Sequence, residues 1–246
     1  MHAGEVRFSI ASHAAWAPAL TTPAAWSEWA AAPFRIAGGD DAPVRDMPAM
    51  LRRRAGSLGK MALEVAYQCL DGRTGVPTVF VSRHGEVARA VDLLGDLASD
   101  TPLSPTAFGL AVHNASAGLF SIARGDRANH VALAAGPDGV EHAVIEACGQ
   151  LADGADMVLL VAYDCPLPDL LAQFQDCDEQ PYAWAWLMVP PGDAPVSLGW
   201  SACAEETAPA SAAMPVGLEI LRFHLNGQDV LERRSGPWRW LWTRNG

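Results

Sequence analysis

Apolar residues change their spacing along this chain, and the changes mark out alternating strands and helices. Residues 6–10 (VRFSI) alternate apolar and polar positions, which suits a strand with one buried face. Met47, Met50, Leu51, Leu58, Met61, Ala62, Val65, Ala66 and Cys69 recur at steps of three and four. That spacing predicts one amphipathic helix over residues 48–70, stopped by Asp71 and Gly72. The β-branched run 76–82 (VPTVFVS) predicts a short buried strand. A helix over 87–97, a polar turn at 100–105, a strand at 128–134 and a helix over 140–151 follow. Residues 157–163 (MVLLVAY) are apolar without alternation, the mark of a strand covered on both faces. A short helix at 166–174 and a strand at 182–189 (YAWAWLMV) come next.

After Pro190 the character shifts. Residues 196–202 (VSLGWSA) suit a strand, 205–215 a Glu/Ala/Pro/Ser loop, and 217–224 a helix. Trp238, Trp240 and Trp242 sit at period two, which predicts one face of a terminal edge strand laid on the core. Residues 106–123 contain no Asp, Glu, Lys or Arg and read as strand-to-helix or mostly helix. Without charge on either side, both faces of that segment want burial. Strands alternating with helices of these lengths predict an α/β fold. The expected sheet is mixed, mostly parallel and about five-stranded, with helices on both faces.

Composition narrows the function. Of the 246 residues, 50% are hydrophobic and 18% charged, enough apolar material for a real core and too little charge for disorder. The net charge of −11 argues against a phosphate-backbone partner. One local basic patch stands out, at Arg52, Arg53 and Arg54. The five cysteines are widely spaced with no CxxC pair, so they read as small buried hydrophobes in a reducing compartment. The N-terminal residues lack the pattern of a secretory signal, and no apolar window is long enough for a membrane span. A cytoplasmic protein without membrane attachment is the expectation.

Known chemistry is sparse. No GxGxxG or GxxxxGK[ST] loop is present, and the scattered histidines show no metal-ligand spacing, so no cofactor and no metal is expected. Asn114 to Gly118 (NASAG) approaches a nucleophile elbow, GxSxG, but lacks its first glycine. Ser116 therefore reads either as a nucleophile or as a small residue that lets helices pack closely. His113, the one titratable side chain in the uncharged segment, reads either as a functional group or as a hydrogen-bonded core histidine. Asp164 follows the strand 157–163, at the kind of strand end where α/β sheets place sites, and also fits an ordinary cap before Pro166.

Order and spacing then resemble a family. Residues 103–108 (LSPTAF), followed by Val112-His113-Asn114-Ala115 and by Ala117-Gly118, are similar to the β-ketoacyl synthase pattern SPT.F…VHNA.AG..SI. Residues 52–66, 77–85 and 150–163 resemble, in family order, its basic-then-apolar helix, its GVVVGS.HG turn and its I..G.AD.ML.GG.E element. The resemblance is to the N-terminal half of these synthases, in the short form labelled chain length factor. It implies a thiolase-like half fold over residues 1–190, with residues 191–246 as an extension packed on the same domain.

A synthase carries its nucleophilic cysteine three residues before the elbow glycine. Here that position is Ala115, and no cysteine lies between Cys69 and Cys148. The second-half histidine motifs are absent as well, so no donors remain for the enolate and the thioester oxyanion. The resemblance thus implies a non-catalytic subunit that pairs as a heterodimer with an active ketosynthase. The product class implied is aryl polyene, or a related polyketide or fatty acid. Val112, His113, Asn114, Ala115, Ser116 and Gly118 become a tunnel or interface surface, and Arg52, Arg53 and Arg54 a docking site for an acidic acyl carrier protein. The alternatives are a small acyl-thioesterase or acyltransferase using Ser116 and His113, and an assembly factor that binds the carrier protein.

Overall fold

A computed structural model describes residues 3–203 and 214–244. The chain begins with β1 (Ala3–Trp16), α1 (Pro23–Ala31), α2 (Ala49–Arg52), α3 (Ser57–Leu70) and β2 (Thr78–Val81). It continues through α4 (Val87–Ala98), α5 (Pro105–Gly109), α6 (Ala115–Arg124), β3 (His130–Leu133), α7 (Gly139–Ala152) and β4 (Val158–Asp164). After a 3₁₀ turn at Asp169–Phe174 come β5 (Tyr182–Val189), β6 (Val196–Ala202), α8 (Val216–Leu225), β7 (Val230–Ser235) and β8 (Trp238–Arg244). Residues 205–213 of the expected Glu/Ala/Pro/Ser loop lie outside the described residues.

Local chemistry sets several of these boundaries. Thr22 caps α1 by accepting from the Ala25 N–H, with Pro23 at the first helical position. Ser104 and Pro105 start α5 in the same way. α6 stops at Gly125, whose φ of 60° is the left-handed conformation that glycine adopts without strain. The helix expected over 48–70 is two helices, because the chain leaves helical geometry between them and restarts at Gly56, the N-cap of α3.

The sheet has eight strands in the order β3-β2-β4-β5-β1-β6-β8-β7. The α/β character and the helices on both faces match the sequence reading; the strand count and the pairing differ from it. Only β2 pairs in parallel, with β3 and β4. Every other ladder is antiparallel. The continuous apolar runs that suggested parallel strands report burial on both faces. Here helices on both sides of antiparallel β4 and β5 supply that burial.

β5 shows how the layers separate. Trp184, Trp186 and Met188 enter one apolar cluster with residues of α1, α7 and α8, while Ala183, Ala185 and Leu187 enter the other with residues of α3 and α6. Trp184 donates to the Gly217 carbonyl at 2.8 Å. A Cβ on Gly217 would stand 2.2 Å from the Tyr182 hydroxyl, so only glycine lets α8 come this close.

The C-terminal strands extend the sheet beyond β1. Trp240 and Trp242 pack on the core, but β8 is not the edge: it lies between β6 and β7. β7 (VLERRS) gave little apolar pattern to read, because of its inward positions only Leu231 is apolar and Arg233 makes ionic contacts. Arg233 of β7 pairs with Glu141 of α7, which is fully buried, and with Glu219 of α8 at 3.1 Å. Removing one partner of a buried pair strands the other charge. Arg233→Ala is therefore expected to lower unfolding free energy by about 3–5 kcal/mol, measured by urea denaturation.

Candidate functional site

β2 and β4 run parallel and finish side by side, where Val81 pairs with Ala162. The turn 82–86 leaves from this end and leads into α4. Asp164, the last residue of β4, is buried beneath it. Its Oδ1 accepts from the Ser82 hydroxyl and from the Arg83 N–H, both at 2.8 Å, and its Oδ2 accepts from the Tyr182 hydroxyl at 3.3 Å. Burial outweighs these bonds and pushes the carboxyl up to about 6. Asp164 is thus more than a local cap before Pro166.

Arg83 turns its guanidinium away from Asp164 towards the β4–β5 connection. There it bonds Asp176, donates to Cys177 Sγ at 3.1 Å and lies 3.7 Å from Glu179. Glu179 accepts from the Leu167 N–H at 2.7 Å, and Gln180 accepts from the Ile36 N–H at 2.7 Å, so the connection is held at several points by buried polar groups.

The synthase-like segment meets this end of the sheet. Ala115 and Ser116 open α6 and are buried. The Ser116 hydroxyl bonds Glu86 and Tyr163. Glu86 also accepts from Arg89 Nε at 3.0 Å, and burial raises its carboxyl above the usual range. A Cβ on Gly59 of α3 would lie 3.0 Å from the Ser116 hydroxyl oxygen. α3 and α6 therefore come close at Ser116, the close packing that a small residue permits. His113 Nε2 donates to the Leu133 carbonyl at 2.7 Å, and its ring fills the space that a Cβ on Gly85 would take, 2.4 Å from Nδ1. Ser116 thus points into α3, while His113 is committed to β3 and Gly85.

Ala117, Leu119 and Phe120 pack into the core, but other positions of the segment are open. Asn114 is exposed, Val112 is 43% exposed, and a Cβ on Gly118 would meet no neighbouring atom within 4 Å. The expectation that both faces of 106–123 are covered does not hold within this chain. The C-terminal strands join the sheet at the opposite end, beyond β1, and leave α4 and α5 without a buried residue. Leu94, Leu97, Phe108 and Ile122 are each 60–67% exposed.

The basic patch is partly tied down. Arg52 donates to the Val44 carbonyl at 3.2 Å, whereas Arg53 and Arg54 are exposed, with Arg89 donating to the Arg54 carbonyl at 2.8 Å. All five cysteines are free. Burial pushes Cys148 and Cys165 up to about 12 and Cys177 to about 11, so none of these three is a thiolate at neutral pH. Among the described residues no group of three His, Cys, Asp or Glu side chains gathers to hold a metal, and no helix is long and apolar enough to cross a membrane. The sequence reading passed over Ser82, Arg83, Glu86 and Tyr182. For the first three the signal was the polar run SRHGE after a buried strand, part of it in the synthase-like stretch 77–85; Tyr182 gave none.

The comparisons with known proteins agree with this layout. The family described as beta-ketoacyl synthase, N-terminal domain, matches residues 26–243. A solved complex of the ketosynthase ApeO with its chain length factor ApeC, from Xenorhabdus doucetiae, contains a chain 25% identical to this one. The match has a TM-score of 0.84 and covers 97% of this chain and 100% of that one. The ishigamide ketosynthase/chain length factor matches at 17% identity and TM-score 0.61, over 78% of this chain and 65% of that one. A type II polyketide acyl-carrier protein in complex with its ketosynthase (AntDE:AntF) matches at 11% identity and TM-score 0.71, over 98% and 99%. The last two likenesses concern the fold alone. No curated protein matches the chain.

The buried carboxyl gives a pH test. A carboxyl raised in the folded state contributes stability while it is protonated and loses it as pH rises through the folded value. Asp164→Asn keeps an acceptor for Ser82 and Arg83 without the charge. It is expected to exceed the parent in stability by up to about 3 kcal/mol near pH 7.5, with the two converging below about pH 4, in urea titrations across that range.

Proposed function

The chain belongs to the beta-ketoacyl synthase N-terminal domain family, and on that premise we propose that it is a non-catalytic subunit of the chain-length-factor type, pairing with an active ketosynthase. The carrying observation is the match to a chain of the ApeO–ApeC complex over 97% of this chain and 100% of that one. The position resembling the synthase nucleophile supports the reading, since Ala115 offers neither thiol nor hydroxyl. Its neighbour Ser116 is 2% exposed and engaged with Glu86 and Tyr163, a poor arrangement for attack on a thioester.

In this reading residues 1–190 carry the synthase-like part and residues 191–246 complete the same folded unit. The open apolar surface of α4, α5 and α6 is the face offered to the synthase, because uncovered apolar area of this kind marks an interaction site. Val112, Asn114 and Gly118 lie open on or beside that face, and with His113, Ala115 and Ser116 they shape the floor or wall of the partner's acyl tunnel. Arg53 and Arg54, with Arg52 behind them, form the side that receives an acidic acyl carrier protein. The pathway is aryl-polyene or related polyketide or fatty acid synthesis, in the cytoplasm.

Co-expression with a ketosynthase from the same organism tests the pairing. The two are expected to co-purify. Phe108→Glu, at a site 66% exposed, should weaken association at least tenfold while leaving the circular dichroism and melting of the isolated chain unchanged. A chain that stays monomeric beside the synthase and has no effect on product length would refute the proposal. Reversing Arg53 and Arg54 to Glu is expected to reduce carrier-protein affinity without disturbing the pairing, and unchanged affinity would remove the docking assignment. Ser116→Ala should leave product output intact.

A further inference from the structure

Asp164 carries a charge that its structural task does not require. That task needs no charge: an amide oxygen could accept from the Ser82 hydroxyl and the Arg83 N–H, with its NH2 donating to the Tyr182 oxygen in place of the bond that Tyr182 now donates. No guanidinium or ammonium bonds it directly; Arg83, the nearest cation, is engaged with Asp176, Cys177 and Glu179. A buried carboxylate without a bonded cation is costly, and such groups concentrate where a protein uses the proton.

Its bonds also lead somewhere. The Ser82 hydroxyl that donates to Asp164 accepts from the Gly85 N–H at 2.9 Å. Gly85 sits at a φ of 56°, in the left-handed region, with His113 packed where its Cβ would be. His113 in turn holds the Leu133 carbonyl and stands at the break between α5 and α6. Three bonded or packed steps thus connect a buried carboxyl to the open segment.

We infer that Asp164 is a proton-linked positioning residue: its charge state sets the geometry of the turn 82–86 and, through Gly85 and His113, that of the break between α5 and α6. The charged form holds the Ser82 hydroxyl and the Arg83 N–H by charge-assisted bonds, which are the stronger kind, and fixes the turn. The protonated form gives up part of that hold and loosens the turn and the His113 contact. The titratable and charged groups around the carboxyl are Arg83, His84 and Glu86 from the turn, Tyr163 and Cys165 from its own strand and its continuation, Cys177 and Glu179 from the β4–β5 connection, and Tyr182 from β5. A small cavity beside Asp164 is lined from α7 and α8 by Gly139, Val140, Val216 and Gly217, none of which titrates. That the loosened segment faces a synthase rests on the proposed function; the linkage from Asp164 to His113 does not.

Nuclear magnetic resonance of the full chain tests it, following the Arg83 and Gly85 amide signals from about pH 4 to 8. Both are expected to shift together with a midpoint near 6. Asp164→Asn should abolish the shared midpoint. Ser82→Ala, which leaves the carboxyl in place, should keep the Arg83 titration and remove that of Gly85. A Gly85 titration that survives in Asp164→Asn, or a parent chain whose two amides show no common midpoint, overturns the inference. Failure to pair with a synthase would leave these titrations as they are, so the two proposals fall separately.

Discussion

β5 lies between β4 and β1 near the middle of the sheet and is buried on both faces, and its alternation of size decides what can pack where. Indoles from Trp184 and Trp186 fill one side, alanines the other. Large residues hold α1, α7 and α8 at the distance that two layers of side chain require. Small residues let α3 settle close to the strand. α3 is then near enough for Gly59 to abut Ser116 and Glu86, and α6 takes its place against α3. The position of the synthase-like segment thus depends on alanines in a strand far from it in sequence.

The aromatic face is held by packing more than by polar bonds. Trp184 finds the Gly217 carbonyl, while the indole N–H groups of Trp186, Trp240 and Trp242 have no hydrogen-bond partner among the described residues. Their contribution comes from area and ring contacts, such as the tilted contact of Trp184 with Trp186, centroids 4.5 Å apart. The carboxyl ends of β2 and β4 are the opposite case. Asp164, Ser82, Arg83, Glu86, Ser116 and Tyr163 form a buried polar layer in which geometry is set by hydrogen bonds, and such layers specify conformation at a cost in desolvation.

The two edges of the sheet are treated differently. β7 carries Glu232, Arg233 and Arg234, and charges on an edge discourage further strand pairing. β3 at the other edge is short and carries only His130 as a polar side chain. The exposed apolar residues of α4, α5 and α6 gather towards the β3 end, so the molecule is closed at one end of its sheet and open at the other.

Much of this was readable in the sequence. Apolar runs placed β2, β4, β5 and β6, and helical periodicity placed α3, α4, α7 and α8, because each covers or forms a layer of the core. The spacing LSPTAF…VHNASAG carried the family likeness. Strand direction was not readable, since burial on both faces looks the same in parallel and antiparallel ladders. β7 was hard to see because Leu231 is its one inward apolar residue and the next inward position is Arg233, whose partner Glu141 lies 92 positions earlier. The absence of charge from 106–123 showed that the segment wants cover. Only the topology, which carries β6, β8 and β7 beyond β1, decided that this chain does not supply it. Hydrophobic pattern is a property of neighbours along the chain; pairing direction, long-range ion pairs and open faces are properties of how distant segments meet.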